Sequence, residues 1–409
     1  MNLVTVNLDS LRLGHPLPFA LRNKEGTLLA HKGFVVSSRD YLNAVLGNGS
    51  TFFMDVNESD GAHRAYVGKL YNLIDDDKPL GTIAGAQIVP SDLDVNRGDG
   101  DDTPDWFDMQ LMANALLRET NPVQFLQKLD RVTARLVRYT SRNPDGTLFA
   151  LIHLAATEVR MYSATHAMLV SVMCALAARE VLGWSDDAIA TLGCAALTMN
   201  IGMTELQDRL AQQAEAVSDA QRRQIESHAD RSADILINLG VSDTSWLQAV
   251  REHHTPISGA LAGRSEGNSL ARVIQRADMF AARLSPRASR VPAPPAAAMQ
   301  ACYFDEERKI DEAGAALIKA VGIYSPGSYV KLVTHEVGVV VRRGGNTTTP
   351  RVAVLINKNG MPIGDLILRD TAVRDYRIVA SVAHRDVKVK VTLDRLLALT
   401  SGTASDRRW

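Results

Sequence analysis

Two hydrophobic periods divide the chain. From Leu3 to Val56 short apolar runs are broken by turns: "PLPFALRN", Lys24-Glu25-Gly26, "TLLAHKGFVV" and "STFFMDV". The turn residues and β-branched enrichment predict a small β-rich module with one helix near Ser38 to Leu46. Between Asn57 and Pro104 the chain turns polar and acidic, with Asp75-Asp76-Asp77 and then Asp92, Asp94, Asp99, Asp101 and Asp102. This Asp-rich stretch lacks the fixed Gly and closing Glu of a calcium loop, so it reads as a solvated linker with a short helix near Ala65 to Ile74.

Helical spacing then takes over. Apolar residues recur every three or four positions over Trp106 to Arg118, Val123 to Tyr139, Leu148 to Val159, Ser163 to Leu182, Ser185 to Thr198, Ser218 to Leu239, Thr244 to Glu252, Ser269 to Leu284 and Asp305 to Val321. Asn121-Pro122, the turn Asn143-Pro144-Asp145-Gly146, and Met161-Tyr162 separate the first four. From Ser328 to Val391 the pattern alternates, in "YVKLV", "GVVVRR", "RVAVLI", "YRIVASVA" and "VKVKVTL". The expected protein is mainly α: a β-rich module over residues 1–60, an acidic linker over 61–104, a helical domain over 105–325, a β-sheet module over 326–398 and a polar tail over 399–409.

Composition changes this picture little. With 409 residues, 46% hydrophobic and 22% charged, and a formal net charge of −1, the chain has length for two or three domains and no basic field for a nucleic-acid polymer. Cys174, Cys194 and Cys302 are too few and too scattered for a metal finger and read as buried free thiols of a reducing cytosol. Met1 to Gly14 has no basic start followed by an apolar stretch, and the longest apolar run, Ala167 to Ala178, is about a dozen residues against the roughly twenty of a membrane helix. A cytoplasmic protein without membrane insertion is expected.

The candidate chemistry lies in the helical part. His166 sits in an apolar helix, where a lone imidazole is ordinarily a satisfied core residue. His228 follows the polar "QIES", His253 and His254 are adjacent at a helix end, and Asp278 interrupts the apolar run "VIQRADMF", where a buried carboxylate needs a cation, an Arg or hydrogen bonds. Together they suit a metal site. Arg283, Arg287 and Arg290 offer guanidiniums for a phosphodiester, or charges that complement a helix C-terminus. The loop Gly259 to Asn268, with three glycines, reads as flexible and matches no phosphate-binding fingerprint.

The stretch from about Asn121 to Leu332 resembles an HD-GYP domain, the HD-superfamily class of metallophosphodiesterases that hydrolyse cyclic di-GMP in bacteria. The resemblance rests on His166, His228, His253-His254, "RADMF" from Arg276 to Phe280 and "GIYSPGSYVKL" from Gly322 to Leu332. It implies an HD-type helical bundle with His166, His228, His253, His254 and Asp278 as metal ligands, and with Arg287 and Arg290 at arginine positions of the family. Where the family has a His-Asp ligand pair and a catalytic Lys, this chain has Met199, Asn200 and Met203. Where it has a Glu and then Gly-Tyr-Pro, this chain has Thr255 and Leu261-Ala262-Gly263.

These departures set the functional expectation. A neutral amide is a poor substitute for a bridging carboxylate between two cations. The site should hold at most one divalent transition metal, iron, manganese or zinc, and hold it weakly. The reading is a bacterial signalling protein impaired in cyclic di-GMP hydrolysis that acts by binding the nucleotide or a signalling-protein partner. Its alternatives are an active phosphodiesterase with a reduced metal site, and a scaffold of the HDOD kind.

Overall fold

The computed structural model describes residues 3–6, 17, 20–24, 27–30, 34–35, 52–55, 104–157, 161–256, 258–285, 293, 295–389 and 391–401. The helices expected near Ser38 to Leu46 and Ala65 to Ile74, and the linker up to residue 103, lie outside them. The chain divides into two compact units, Met1–Asp108 and Met109–Trp409. The first holds β1 (Leu3–Val6), β2 (Leu21–Arg22), β3 (Leu28–Ala30) and β4 (Phe52–Asp55), hydrogen-bonded in the order β1-β4-β2-β3.

The helices run α1 (Trp106–Leu116), α2 (Pro122–Arg142), α3 (Pro144–Thr157), α4 (Tyr162–Ala177), α5 (Asp186–Thr198) and α6 (Thr204–Gln212). They continue as α7 (Asp219–Glu226), α8 (His228–Asn238), α9 (Thr244–Glu252), α10 (Glu266–Leu284), α11 (Pro295–Tyr303) and α12 (Glu312–Val321). Helix α2 buries Phe125, Leu129, Val132, Leu136 and Tyr139, one stripe at three- and four-residue spacing, which makes it a wall of the bundle. Helix α4 is buried all round and packs against α3, α5, α10 and α12, which makes it the core.

Several boundaries differ from the pattern, each for a physical reason. Asn143-Pro144-Asp145-Gly146 opens α3 instead of turning. Pro144 takes the first helical position, where its missing N–H costs nothing, and the Asn143 side chain accepts from the Gly146 N–H at 2.9 Å. The Arg343 guanidinium meets Asp145 at 2.7 Å, tying that first turn to the sheet module. The single helix predicted over Ser218 to Leu239 is two, broken at Ser227. The first is capped by a Ser218–Gln221 capping box.

The predicted helix from Asp305 begins only at Glu312. Residues 304–311 form a tight turn closed by the Phe304–Ile310 bridge, with Arg308 in left-handed backbone and the Asp305 carboxylate accepting from the N–H groups of Glu307 and Lys309. Helices α6 and α11 had no signal in the apolar spacing; α11 starts on Pro295, again a proline at a helix N-terminus. It crosses α12 so closely that a Cβ on Gly314 would stand 2.0 Å from the Cys302 carbonyl oxygen, so the crossing requires glycine.

Helix α4 continues through a π-helical turn, Ala178–Leu182. The stretch Tyr162–Leu182, and likewise Asp186–Gln212, therefore has the length and mean hydropathy of a membrane span, where the apolar run alone is about a dozen residues. Most of each is buried inside the bundle, the pattern of core helices. Cys174 and Cys302 are buried free thiols, and Cys194 is a partly buried one.

The β module is a five-stranded antiparallel sheet in the order β8-β7-β6-β5-β9. Its strands are β5 (Tyr329–Leu332), β6 (Val337–Arg342), β7 (Arg351–Ile356), β8 (Pro362–Asp370) and β9 (Ile378–Val382). One face packs on Phe149 of α3 and on Leu396 of a short helix, α13 (Leu393–Leu397). The described residues of "VKVKVTL" before α13 form no strand, and β9 is the strand that pairs with β5 at the sheet edge. The unforeseen strand is β8, an edge strand with Ile367 and Leu368 exposed.

Charge also holds the helices in place. On α10 the fully buried Arg272 and Arg276 meet Asp311, the N-cap of α12, at 2.6 Å and 3.3 Å, and Glu306 of the tight turn at 2.9 Å and 3.1 Å. Asp311→Ala leaves two guanidiniums without their buried counter-charge and removes the cap of the Gly314 N–H. The variant should lose about 3–5 kcal/mol of stability, read as a lower denaturant midpoint at unchanged slope; a loss under about 1 kcal/mol would show the network to be dispensable.

Candidate metal centre

Two helix ends supply the three imidazoles. His228 opens α8, where the chain breaks after Ser227, and His253 and His254 follow the last turn of α9. His228 and His253 are buried and His254 is exposed. The ligating nitrogens of these three all lie within 4.8 Å of one another, and they form the sole such His, Cys, Asp or Glu cluster among the described residues.

Their backbone contacts set the tautomers. Nδ1–H of His228 donates to the Ile225 carbonyl, and Nδ1–H of His253 donates to the Val250 carbonyl at 2.7 Å. Each Nε2 is left with a lone pair, and the two Nε2 atoms face each other 3.2 Å apart. Facing lone pairs repel unless a proton or a cation lies between them. Burial disfavours the proton: it pushes the His253 ring down to about 3, with the neighbouring His254 adding to the effect, and it lowers His228 as well. Two neutral imidazoles locked by carbonyls are the form in which histidine binds a metal.

His166 and Asp278 stand differently. His166 is buried on α4, and its Nε2–H donates to the Asp278 carboxylate on α10 at 2.7 Å. Burial works to raise the Asp278 carboxyl, but the hydrogen bond from His166 and electrostatic attraction to the neighbouring imidazoles outweigh it and hold the group well below the usual range. The carboxylate interacts electrostatically with His228 and His253, so pair and triad share one end of the bundle. The five expected ligands thus fall into a triad with converging lone pairs and a pair joined to itself.

The positions between them are also defined. Met199 is buried, and Asn200 is buried with its Oδ1 without a hydrogen-bond partner. The turn after it, Ile201–Met203, lies against α8: Gly202 N–H donates to Ser232 Oγ at 2.9 Å, and a Cβ on Gly202 would meet the His228 carbonyl oxygen at 3.1 Å. The end of α5 is tied to α9 through Trp246 Nε1–H and Thr198 Oγ1 at 3.0 Å. A three-imidazole donor set with a spare buried amide oxygen fits a single cation; no carboxylate bridges to a second.

Arg283, in the last turn of α10, donates to the Met279 carbonyl at 2.9 Å, a contact suited to a helix C-terminus. Arg287 and Arg290 lie outside the described residues. The loop expected to be flexible is pinned instead. The Arg264 side chain donates to the carbonyls of Ser258, Gly259 and Ala260, and the Leu261 N–H donates to Glu312 at 2.8 Å. The Arg272–Arg276–Asp311–Glu306 network behind the site had one sequence signal, two arginines four apart on an apolar helix, whose partners lie beyond any local pattern.

Sequence similarity supports an HD-GYP-like helical domain. In sequence the chain is similar to a curated cyclic di-GMP phosphodiesterase of Pseudomonas aeruginosa, 24% identical over 242 residues. The match takes in 58% of this chain and 56% of that protein, so the chain spans little more than half the length of this relative. A Bdellovibrio bacteriovorus protein described as HDG"Y"P superposes with a TM-score of 0.42 at 16% identity, over 77% of this chain and 98% of that one. No family model matches the chain.

The buried neutral ring makes a pH prediction. The folded His253 value, about 3, lies below its ordinary 6.5. Between these values the unfolded chain binds a proton that the folded one refuses, so metal-free protein loses stability as pH falls below 6.5. The expected slope is about 1.4 kcal/mol per pH unit for this ring, measured as urea midpoints between pH 6 and 5. His253→Gln should flatten the profile; equal slopes in the two proteins would mean that the folded ring is protonated.

Proposed function

We propose that this protein is a bacterial signalling module whose HD-GYP-like domain is impaired in cyclic di-GMP hydrolysis and works by binding the nucleotide or a protein partner. The observation that carries this reading is the division of the ligands. Two-metal phosphodiester hydrolysis uses a pair of cations to stabilise the attacking and leaving oxygens together. By the resemblance, Asn200 falls at the bridging position and Met199 at that of a flanking imidazole, while His166 Nε2–H and one oxygen of Asp278 are joined to each other. Met203 removes the cation that would accompany the scissile phosphate. Loss of two ligands is severe when even losses behind the first ligands cost about 10- to 100-fold in metal affinity or activity.

A second reading, a slow phosphodiesterase with one metal, draws on the converged triad of His228, His253 and His254. A cation there would act as a Lewis acid on a phosphoryl oxygen. The triad would hold it, and Arg283, Arg287 and Arg290 are the candidates for orienting the phosphate. A third, the HDOD-like scaffold, is disfavoured by retention of five ligand-type residues.

Hydrolysis and binding separate these readings. With manganese supplied, purified protein should turn over cyclic di-GMP far more slowly than about one per second, the lower end of ordinary enzymes. Calorimetry on the same sample reads binding of the intact nucleotide. Turnover at or above that rate, abolished by His228→Ala, would replace the signalling reading with the one-metal enzyme.

A further inference from the structure

The donor set also selects among metals. We propose that this site takes a single zinc-type cation, held by His228, His253, His254 and the amide oxygen of Asn200, in preference to manganese. The inference rests on the functional reading above in one respect, that a two-metal centre is not assembled.

Geometry comes first. The Nε2 atoms of His228 and His253, 3.2 Å apart, match the edge of a tetrahedron built on Zn–N bonds of about 2.0–2.1 Å. Their rings are not free to turn away, since each Nδ1–H is held by a carbonyl of the preceding turn, from Ile225 and Val250. The third imidazole, His254, has its ligating nitrogen within 4.8 Å of the other two and its ring exposed, so it adjusts at little cost.

The fourth donor is an orphan. Asn200 Oδ1 is buried without a hydrogen-bond partner, an unfavourable condition that a cation would relieve. Asn200 precedes the turn whose Gly202 lies against the His228 carbonyl, and follows the helix end tied to α9 by Trp246. The residue thus sits two positions before the contact with the helix start that carries His228.

Chemistry then chooses the ion. Carboxylate and water suit manganese and magnesium, whereas imidazole suits zinc, and three imidazoles with no carboxylate form a zinc pattern. One oxygen of the Asp278 carboxylate already accepts from His166 at 2.7 Å. No negative charge is left among the four donors for a harder cation.

The test uses full-length protein stripped with chelator and then given zinc or manganese one at a time. Elemental analysis after gel filtration should find close to one zinc per chain and little manganese, and competition with a chromogenic chelator gives the zinc affinity. Asn200→Ala should weaken that affinity about tenfold, and Asn200→Asp should strengthen it. His254→Ala, at an exposed position that does not threaten the fold, should weaken it at least as much. Manganese retained as well as zinc, two equivalents of either, or zinc affinity untouched by Asn200→Ala and His254→Ala would overturn the proposal. The two readings fail separately: a zinc-loaded protein that hydrolyses cyclic di-GMP at enzyme rates overturns only the signalling reading, and one that neither binds zinc nor hydrolyses overturns only this one.

Discussion

Helix α10 brings two guanidiniums and a carboxylate into an interior that tolerates none of them alone, and much of the surrounding bundle is arranged to answer those three charges. Arg272 and Arg276 draw in Asp311, which at the same time caps α12, and Glu306, which fixes the tight turn before it. Asp278, two residues further on, draws in His166 from α4. One helix is thereby anchored to α4, α12 and the intervening turn by directional contacts, where apolar packing alone would allow sliding. The end of α9, packed along α10, inherits that position, and with it the place of His253 and His254.

The same constraint explains how a site can lose ligands without collapsing. Removing one partner of a buried charge ordinarily leaves the other to be destabilised by the interior. Here Asp278 keeps a partner in His166 that does not depend on any metal. His228 and His253 are neutral, so an empty triad leaves no buried charge and costs mainly the repulsion of two lone pairs. Asn200 likewise leaves an unpaired dipole where an Asp would leave an unpaired charge. With Met199, Asn200 and Met203 in place, the bundle is compatible with an empty or half-filled centre.

Much of this was legible in the sequence, and the limits have identifiable causes. Three- and four-residue spacing located α1, α2, α4, α5, α9 and most of α10, because each buries one stripe or a whole surface. It joined α7 to α8, since the break at Ser227 leaves the apolar phase nearly intact. It missed α6 and α11, and it read Asn143-Pro144 as a turn, because a proline marks a helix start as readily as a stop. In the sheet, alternation found β5, β6, β7 and β9 and failed for β8, whose two faces are largely exposed.

For the site, residue type was informative and relation was not. His166, His228, His253, His254 and Asp278 were recognisable as candidates from their surroundings, yet nothing local says that Asp278 meets His166 while the other three face one another. That division depends on which carbonyl each Nδ1–H reaches and on the crossing of α4 with α10, both of which are tertiary facts. The chemical consequence is considerable. Five ligands arranged around two cations would make a hydrolase, whereas a pair joined to each other beside a separate triad favours one ion over two. Whether the centre cleaves, binds or only shapes the surface thus depends on which side chains have already satisfied one another before any ion arrives.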